Sequence, residues 1–441
     1  MEKIVSLCKR RGFIFQASEI YGGLNGAWDY GPLGTELKRN LKDYWWRAMV
    51  RDRDDVVGLD GAILMNRAVW KASGHEETFT DPMVDCRTCK TRLRADQLAE
   101  TRQCPVCGSK DLTEARAFNL MFPTFVGATA DESSKTYLRP ETAQSIFVQF
   151  KNVLEVSRKK LPFGIAQIGK AFRNEINPRN FTFRSREFEQ MELEYFCRPE
   201  QGMPLLEYWK EERLRFYENI GIKRERLHVK TVPDEERAFY SKGTYDIEYE
   251  FPFGAQELEG VAYRTDYDLR QHQNASGKPL EYFDDETKER FLPHVVEPSA
   301  GVDRTVLALI CEAYDEDSAP DDKGRMETRT VLRFHPRMAP VKCAVFPLLK
   351  NKPALVAKAR EVQQLLRPHM NVFYDESGAI GRRYRRQDEI GTPFCVTVDF
   401  ETLGEKSEEL RDTVTLRERD SMKQQRVNMA DLLRTVITSV T

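Results

Sequence analysis

Apolar and polar positions along the chain recur with two periods, and the switch between them marks the elements. Glu2 to Arg11 carries a short helical pattern, and Gly12 to Phe15 reads as a strand. Behind Pro32, Leu33, Leu37, Leu41 and Trp45 fall at i, i+4 steps, which predicts a helix over 33–50. Adjacent Trp45 and Trp46 point different ways on it, one toward the core and one toward an interface. Phe118 to Phe122 reads as a strand. Tyr137 to Gln144 opens a helix with Pro140 and Glu141 in its first turn. Ile165 to Phe172 is mostly apolar, whereas Arg186 to Phe196 alternates charged and apolar residues with the strand period. The loop between them holds Asn177, Pro178 and Asn180, with Arg173, Arg179, Arg184 and Arg186 close by. This predicts an antiparallel hairpin bearing fixed charges of both signs. Glu187 and Glu189 share one alternation phase and Glu192 and Glu194 the other, so a bulge is expected near Gln190.

Farther along, Leu205 to Ile220 is amphipathic, with Leu205, Trp209, Phe216 and Ile220 on one face and Arg213 at its edge. Gly254 to Leu269 alternates like a strand. His294 to Arg304 changes from strand to helix at Gly301, with Val302, Val306, Leu309 and Ile310 on the helical face. Asp315 to Arg325 is acidic and rich in breakers, the pattern of a surface loop. Beyond Pro336 and Pro340 the order becomes βα, with strands at 341–346, 371–374, 394–399 and 413–417 and helices at 354–366, 380–388 and 429–438. That reads as a three-layer α/β unit. The expected division is residues 1–335 and 336–441, the first carrying insertions at 83–116 and, helical, at about 201–250.

Composition narrows the class. The 441 residues are 40% hydrophobic and 31% charged, as in soluble globular proteins. Lys+Arg 68 against Asp+Glu 70 gives a net charge of −2, so any nucleic-acid surface is a local patch. No apolar run approaches the roughly 20 residues of a membrane span, and the N-terminus lacks the apolar segment of a secretion signal. Of nine cysteines four are clustered and five scattered, the usage of reduced thiols in a cytoplasm.

The clustered four are Cys86-x2-Cys89, fourteen residues, then Cys104-x2-Cys107. That spacing points to a structural Zn²⁺ ribbon with its tetrahedral shell filled by thiolates. Arg87, Lys90, Arg92, Arg94, Arg102 and Lys110 on it form a solvated basic face or a contact to RNA backbone. The glycine-rich loop 21–32 permits close backbone approach, or cradles a phosphate, although no Gly-Lys-Ser/Thr follows. Arg382, Arg383, Arg385 and Arg386 form a second basic cluster, again solvated or facing RNA. A carboxylate in 254–269 suits a divalent cation such as Mg²⁺. Acids set beside several arginines, as in the hairpin, suit an ammonium next to a phosphate.

Phe172-Arg173-Asn174-Glu175, a loop and Arg186-Glu187-Phe188 resemble motif 2 of the class II aminoacyl-tRNA synthetases. Gly31-Pro32-Leu33-Gly34 before a long helix resembles motif 1, the dimer-forming element, and Glu297-Pro298-Ser299-Ala300-Gly301-Val302-Asp303-Arg304 resembles motif 3. Glu187-Phe188-Glu189-Gln190-Met191-Glu192 and Arg139-Pro140-Glu141-Thr142-Ala143-Gln144 are similar to the homodimeric glycyl-tRNA synthetases, which usually carry Gly where Ser145 stands. Trp70 to His75 continues the likeness, though His75 taken alone reads as a structural histidine. The resemblance covers nearly the whole chain. It implies an α+β fold, an antiparallel sheet flanked by helices, with a C-terminal α/β anticodon-binding domain.

The resemblance also implies ligation of glycine to tRNA-Gly with ATP, Mg²⁺ and a structural Zn²⁺, by a cytoplasmic homodimer. It carries ATP contacts to Arg173, Asn174, Glu175, Phe183, Arg184, Ser185, Arg186, Glu187, Phe188, Glu257, Leu258, Gly301, Val302, Asp303 and Arg304, with Arg173 and Arg304 catalytic. It carries glycine contacts to Arg94, Glu141, Phe188, Glu189, Gln190, Met191, Glu192, Glu297, Pro298, Ser299, Ala300 and Gly301. Adenine would lie between Phe188 and Arg304. Intact Arg173, Arg304, Glu141 and Glu192 argue against a silent RNA-binding paralogue, and the hairpin argues against a plain zinc-ribbon module. Threonine, proline or serine remain alternative substrates within the class.

Overall fold

The computed structural model describes residues 1–98, 102–238, 240–320 and 325–440. Helix α1 (Glu2–Arg11) ends on Gly12 in the left-handed region, φ 75°, as helices stopped by glycine do. Helix α2 (Pro32–Trp46) starts at the expected proline and buries Leu37, Leu41 and Trp45. The remainder of the predicted helix is a π turn, Arg47–Arg51.

The sheet that carries the site has seven strands: β1 (Val56–Gly58), β2 (Phe163–Phe172), β3 (Glu187–Cys197), β4 (Leu227–Thr231), β5 (Gly243–Phe251), β6 (Gly254–Thr265) and β7 (His294–Gly301). Their order is β4-β5-β6-β7-β3-β2-β1. Neighbours run antiparallel except β1 and β2, which are parallel. Helices α3 (Ala143–Ser157), α4 (Gly202–Asn219), α5 (Tyr267–Ser276) and α6 (Val302–Ala313) flank it. Met191, Leu193 and Tyr195 of β3 enter the core shared with α2, α4 and α6. Phe196 of the opposite face packs with Phe147 and Phe150 of α3 and Leu269 of α5.

Four expectations need correction. β3 pairs with β2 without interruption from Glu187↔Phe172 to Phe196↔Phe163, so there is no bulge near Gln190. The acids change phase because the two faces of one regular strand have different polar destinations. Glu141 precedes α3, whose N-cap is Thr142, and is not in the first turn. Among the described residues of the 201–250 segment the α-helix is Gly202–Asn219, with a short 3-10 turn at Arg224–Arg226; Leu227–Thr231 and Gly243–Phe251 extend the main sheet. In the acidic segment, Tyr314–Pro320 pairs with Met326–Leu332 as a hairpin. Its acids are used there, Asp315 and Asp317 pairing with Arg333 and Asp317 also with Arg329. Residues 321–324 of the expected loop lie outside the described residues.

The C-terminal unit has a five-stranded sheet, Val372–Tyr374, Cys343–Pro347, Phe394–Val398, Thr413–Glu418 and Gln424–Asn428 in spatial order. The last strand is a polar edge that hydrophobic pattern does not announce. Helices α7 (Pro353–Leu366) and α9 (Met429–Val440) pack on one face, and Ile380 and Tyr384 of α8 (Ile380–Ile390) pack on the other. The arginine cluster on α8 is mostly structural. Arg383 is buried against the carbonyls of Gly378 and Pro347, Arg386 pairs with Asp375, and Arg385 lies beside Glu327. Asp388, fully buried, joins Arg417 (2.8 Å) to Arg329 of the preceding hairpin (3.1 Å). Its neighbour Glu389 pairs with Arg10 and Arg11 of α1.

Candidate active site

The even-numbered residues of β3 leave the apolar core at Phe196 and become Glu194, Glu192, Gln190 and Phe188. This is a polar row on a buried sheet face, and such a row needs partners. At its outer end a cleft is lined by Arg173, Glu175, Thr182, Phe183, Arg184, Ser185, Phe188, Gln190, Glu257, Leu258, Ser299, Gly301, Asp303 and Arg304. All but Thr182 are sequence candidates. Phe181–Phe183, a short turn entered through Asn180 at φ 57°, delivers Thr182 and Phe183 to the cleft.

The cations of this cleft differ in how they are held. Arg184 lies 3.5 Å from the Glu175 carboxylate. Arg304 donates to the backbone oxygens of Phe183 (3.2 Å) and Glu257 (3.1 Å) and stacks 4.4 Å over the Phe183 ring. The aromatic facing Arg304 is therefore Phe183, and Phe188 instead lies against Arg173 at 5.3 Å. Arg173 donates through Nε to the Pro140 oxygen (3.0 Å) and also packs on Phe79. Among the described residues it forms no salt bridge.

Behind Gln190 and Ser299 lies an acidic nest. Glu192, 2% exposed, accepts from Ser299 Oγ (2.7 Å), Gln190 Nε2 (2.8 Å) and both the backbone and hydroxyl of Thr142. Glu141 receives Gln144 Nε2 (3.0 Å) and lies 3.2 Å from His75 Nε2. Arg264 forks onto Asp268 (2.8 and 2.9 Å) and reaches Glu297 at 2.7 Å. Glu194 is fully buried, and among the described residues neither carboxyl oxygen has a hydrogen-bond partner. Glu141, Glu192, Glu194, Glu297 and Asp268 thus converge around Arg264.

Burial and mutual repulsion set their protonation. Burial raises Glu297 to about 8 despite Arg264, with Glu192 and Glu141 adding to the rise. Burial, then Glu297, lifts Glu194 well above the carboxylate range, and burial with Glu141 lifts Glu192. Burial pushes Glu141 up as well, but His75 and Arg264 outweigh it and hold it low. The nest holds more carboxyl groups than cations, and burial with mutual repulsion pushes three of them toward the protonated form, so an ammonium entering there would favour their ionised forms.

Other candidates lie elsewhere. Glu189 points to the opposite face, 2.7 Å from Lys38 and 2.9 Å from Lys42 of α2. Glu187 pairs with Lys170 at the surface. Met191, Ala300 and Val302 are core residues, and Pro298 pairs across the sheet with Val261. Arg94 is held by Asp81 and Asp96 and does not line the cleft. Asn174 and Arg186 line a separate crevice with Met83, Arg92 and Phe118. The Arg186 guanidinium bonds the oxygens of Glu175 and Asn25. The glycine-rich loop does not line the cleft. Gly26, φ +77°, packs so closely on the hairpin loop that a Cβ there would meet Pro178 at 2.7 Å.

Sequence reasoning passed over Thr142, Gln144, Glu194, Arg264 and Asp268. Of these only Thr142 and Gln144 stood in a quoted motif. His75 belongs to the nest, although alone it read as structural.

The four ribbon thiols lie within 4.8 Å of one another, with Cys86–Cys107 and Cys89–Cys104 at 3.6 Å. Four sulfurs about 2.3 Å from a tetrahedral zinc stand about 3.8 Å apart, so the cluster fits that ion. Lys90 (φ 61°) and Gly108 (φ +74°) turn the chain at each knuckle.

An antiparallel sheet with an arginine-lined cleft on one face is the core of a class II synthetase, and comparison with known proteins agrees. Residues 126–314 match the family described as tRNA synthetase class II core domain (G, H, P, S and T), and residues 342–438 match the Anticodon binding domain family. The chain is 54% identical to the glycine--tRNA ligase of Treponema denticola, covering 100% of this chain and 97% of that protein. It is 53% identical to that of Thermobifida fusca (97% and 96% covered) and 52% identical to that of Clostridium perfringens (98% and 97%). The chain belongs to the glycine--tRNA ligase family.

Proposed function

We propose that this protein activates glycine with ATP to glycyl-adenylate and transfers the glycyl group to the 3′ end of tRNA-Gly, releasing diphosphate and AMP. The observation that carries the reading is the meeting of two unlike half-sites at Gln190 and Ser299: a cleft rich in arginine, and a buried nest with more carboxyl groups than cations. Glycine is a zwitterion and ATP an anion. Its ammonium suits the nest of Glu141, Glu192 and Glu297, which turns its carboxylate toward the cleft and the α-phosphate.

In the first step a glycine carboxylate oxygen bonds to the α-phosphorus and the bond to diphosphate breaks. In the second, the terminal tRNA hydroxyl attacks the glycyl carbonyl carbon and AMP leaves. The protein supplies positioning and charge. Arg173 takes the α-phosphate, and Arg184 and Arg304 take the remaining phosphates. Phe183, Phe188 and the Arg304 guanidinium supply flat faces for adenine. Glu257, half exposed beside Arg304 at 3.4 Å, is the carboxylate offered to Mg²⁺ on those phosphates. Discrimination rests on exclusion. One methyl is worth only about 1–3 kcal/mol through packing, and a filled nest leaves no space for a larger side chain. The C-terminal α/β unit, residues 336–441 in this division, binds the anticodon arm.

The test is ATP–diphosphate exchange with each amino acid in turn. Exchange with glycine is expected, and exchange with threonine, proline or serine instead would overturn the assignment. The Cys86, Cys89, Cys104 and Cys107 cluster holds a structural Zn²⁺, and α2 lies at the interface of a homodimer. Native mass spectrometry is expected to find two chains and two zinc ions, with zinc lost in Cys104→Ser. A metal-free monomer that still folds would refute both.

A further inference from the structure

We propose that Lys38 is a positioning residue for the ATP half of the site, an inference that rests on the assignment of Arg304 and Phe188 to ATP. Lys38 lies in the middle of α2 and is 9% exposed. An ammonium buried this deeply needs compensating charge. It has two such partners, Glu189 Oε2 at 2.7 Å and Asp303 Oδ1 at 2.9 Å, and it lies 4.3 Å over the Tyr30 ring. Tyr30 adds its hydroxyl to the same Asp303 oxygen at 2.6 Å. The other Asp303 oxygen accepts the backbone N–H of Glu189 at 2.7 Å.

The chain positions give this cluster its meaning. Glu189 directly follows Phe188 on β3, and Asp303 directly precedes Arg304 in the first turn of α6. One ammonium on a third element therefore fixes the backbone next to both. Without it the Glu189 and Asp303 carboxylates would face each other across a buried gap, and like charges at low dielectric repel. They would separate, carrying Phe188 and Arg304 apart. The glycine nest lies on the opposite face of β3 and is held by Thr142, Ser299 and Arg264, none of which touches Lys38.

Lys42, one turn farther along α2, supplies an internal control. It pairs with Glu189 at 2.9 Å and has no contact with Asp303. Removing it loosens one strand attachment and leaves the link to α6 intact.

The experiment measures ATP–diphosphate exchange for wild type, Lys38→Met, Lys38→Arg, Lys42→Met and Tyr30→Phe, with thermal unfolding as the check on folding. Lys38→Met is expected to raise the KM for ATP about tenfold or more, with the KM for glycine within about twofold. Lys38→Arg recovers part of the loss, and Lys42→Met stays close to wild type. Tyr30→Phe keeps the ring, removes the hydroxyl and shifts the ATP KM in the same direction by less. It carries the test if Lys38→Met does not fold. A folded Lys38→Met with the wild-type KM for ATP, or with both KM values raised together, overturns the proposal. An Arg304→Ala protein with unchanged ATP KM would instead overturn the ATP assignment on which it rests.

Discussion

Replacing Arg173 by alanine is expected to slow glycyl-adenylate formation about 10³-fold or more, with little change in the KM for glycine. Attack on the α-phosphate concentrates negative charge on the phosphoryl oxygens. An arginine aimed at such a group is worth roughly 10³–10⁵ in rate, about 4–7 kcal/mol. Arg173 suits the role because of what it lacks. Arg184 has Glu175, Arg304 has Glu257 and Arg94 has Asp81 and Asp96, whereas Arg173 forms no salt bridge among the described residues. Its Nε bond to Pro140 and the rings of Phe79 and Phe188 hold the fork in place without neutralising it. Lysine at this position would restore charge but not the planar, two-point geometry, so Arg173→Lys is expected to recover little. Diphosphate exchange reads the effect directly, and a rate within tenfold of wild type in Arg173→Ala would remove Arg173 from the reaction.

Glu192→Ala is expected to raise the KM for glycine about 10²–10³-fold while kcat for exchange falls much less. Losing one member of a buried charge pair costs about 2–5 kcal/mol, and each 1.4 kcal/mol is tenfold in affinity. Two effects add. A glycine ammonium in the nest would lose one of its anions, and donors on Thr142, Gln190 and Ser299 lose a buried acceptor. Glu192→Gln keeps the shape and separates the two, so it should fall between alanine and wild type. Glu189→Gln, three residues back on the opposite face, should leave the glycine KM near wild type. Equal glycine KM values for Glu192→Ala and wild type would refute the assignment.

Much of this architecture was legible in the residue pattern. Period-two alternation in 186–196, Pro32 before a leucine stripe and Gly301 at a strand-to-helix switch each correspond to an element that forms where expected. The cysteine spacing corresponds to four thiols in tetrahedral range. The failures that concern charged residues share one cause: a one-dimensional pattern reports that a charge is present but not which charge it meets. The phase change from Glu189 to Glu192 looked like a bulge, because nothing local to the strand says that Lys38, some 150 residues earlier in the chain, waits on one face and Thr142 on the other. The arginines of α8 read as solvated or facing RNA, whereas the carbonyls of Gly378 and Pro347 and the acids Asp375 and Glu327 occupy most of them. The places of Arg264 and Glu194 in the site were not legible for the same reason. Each is an ordinary polar residue in a strand, and only the sheet order brings them beside Glu297.

The buried link at Asp388 has a consequence for how the two ends of the molecule act together. Swinging the C-terminal unit away from the core would part Asp388 from Arg329 and Glu389 from Arg10 and Arg11. The first separation would break up a buried ion-pair network, leaving Asp388 to Arg417 and Arg329 to Asp317. The spacing between the anticodon-binding unit and the cleft is therefore set before any RNA arrives. The molecule works as a fixed caliper, and an RNA whose arms do not match that span meets one jaw or the other but not both.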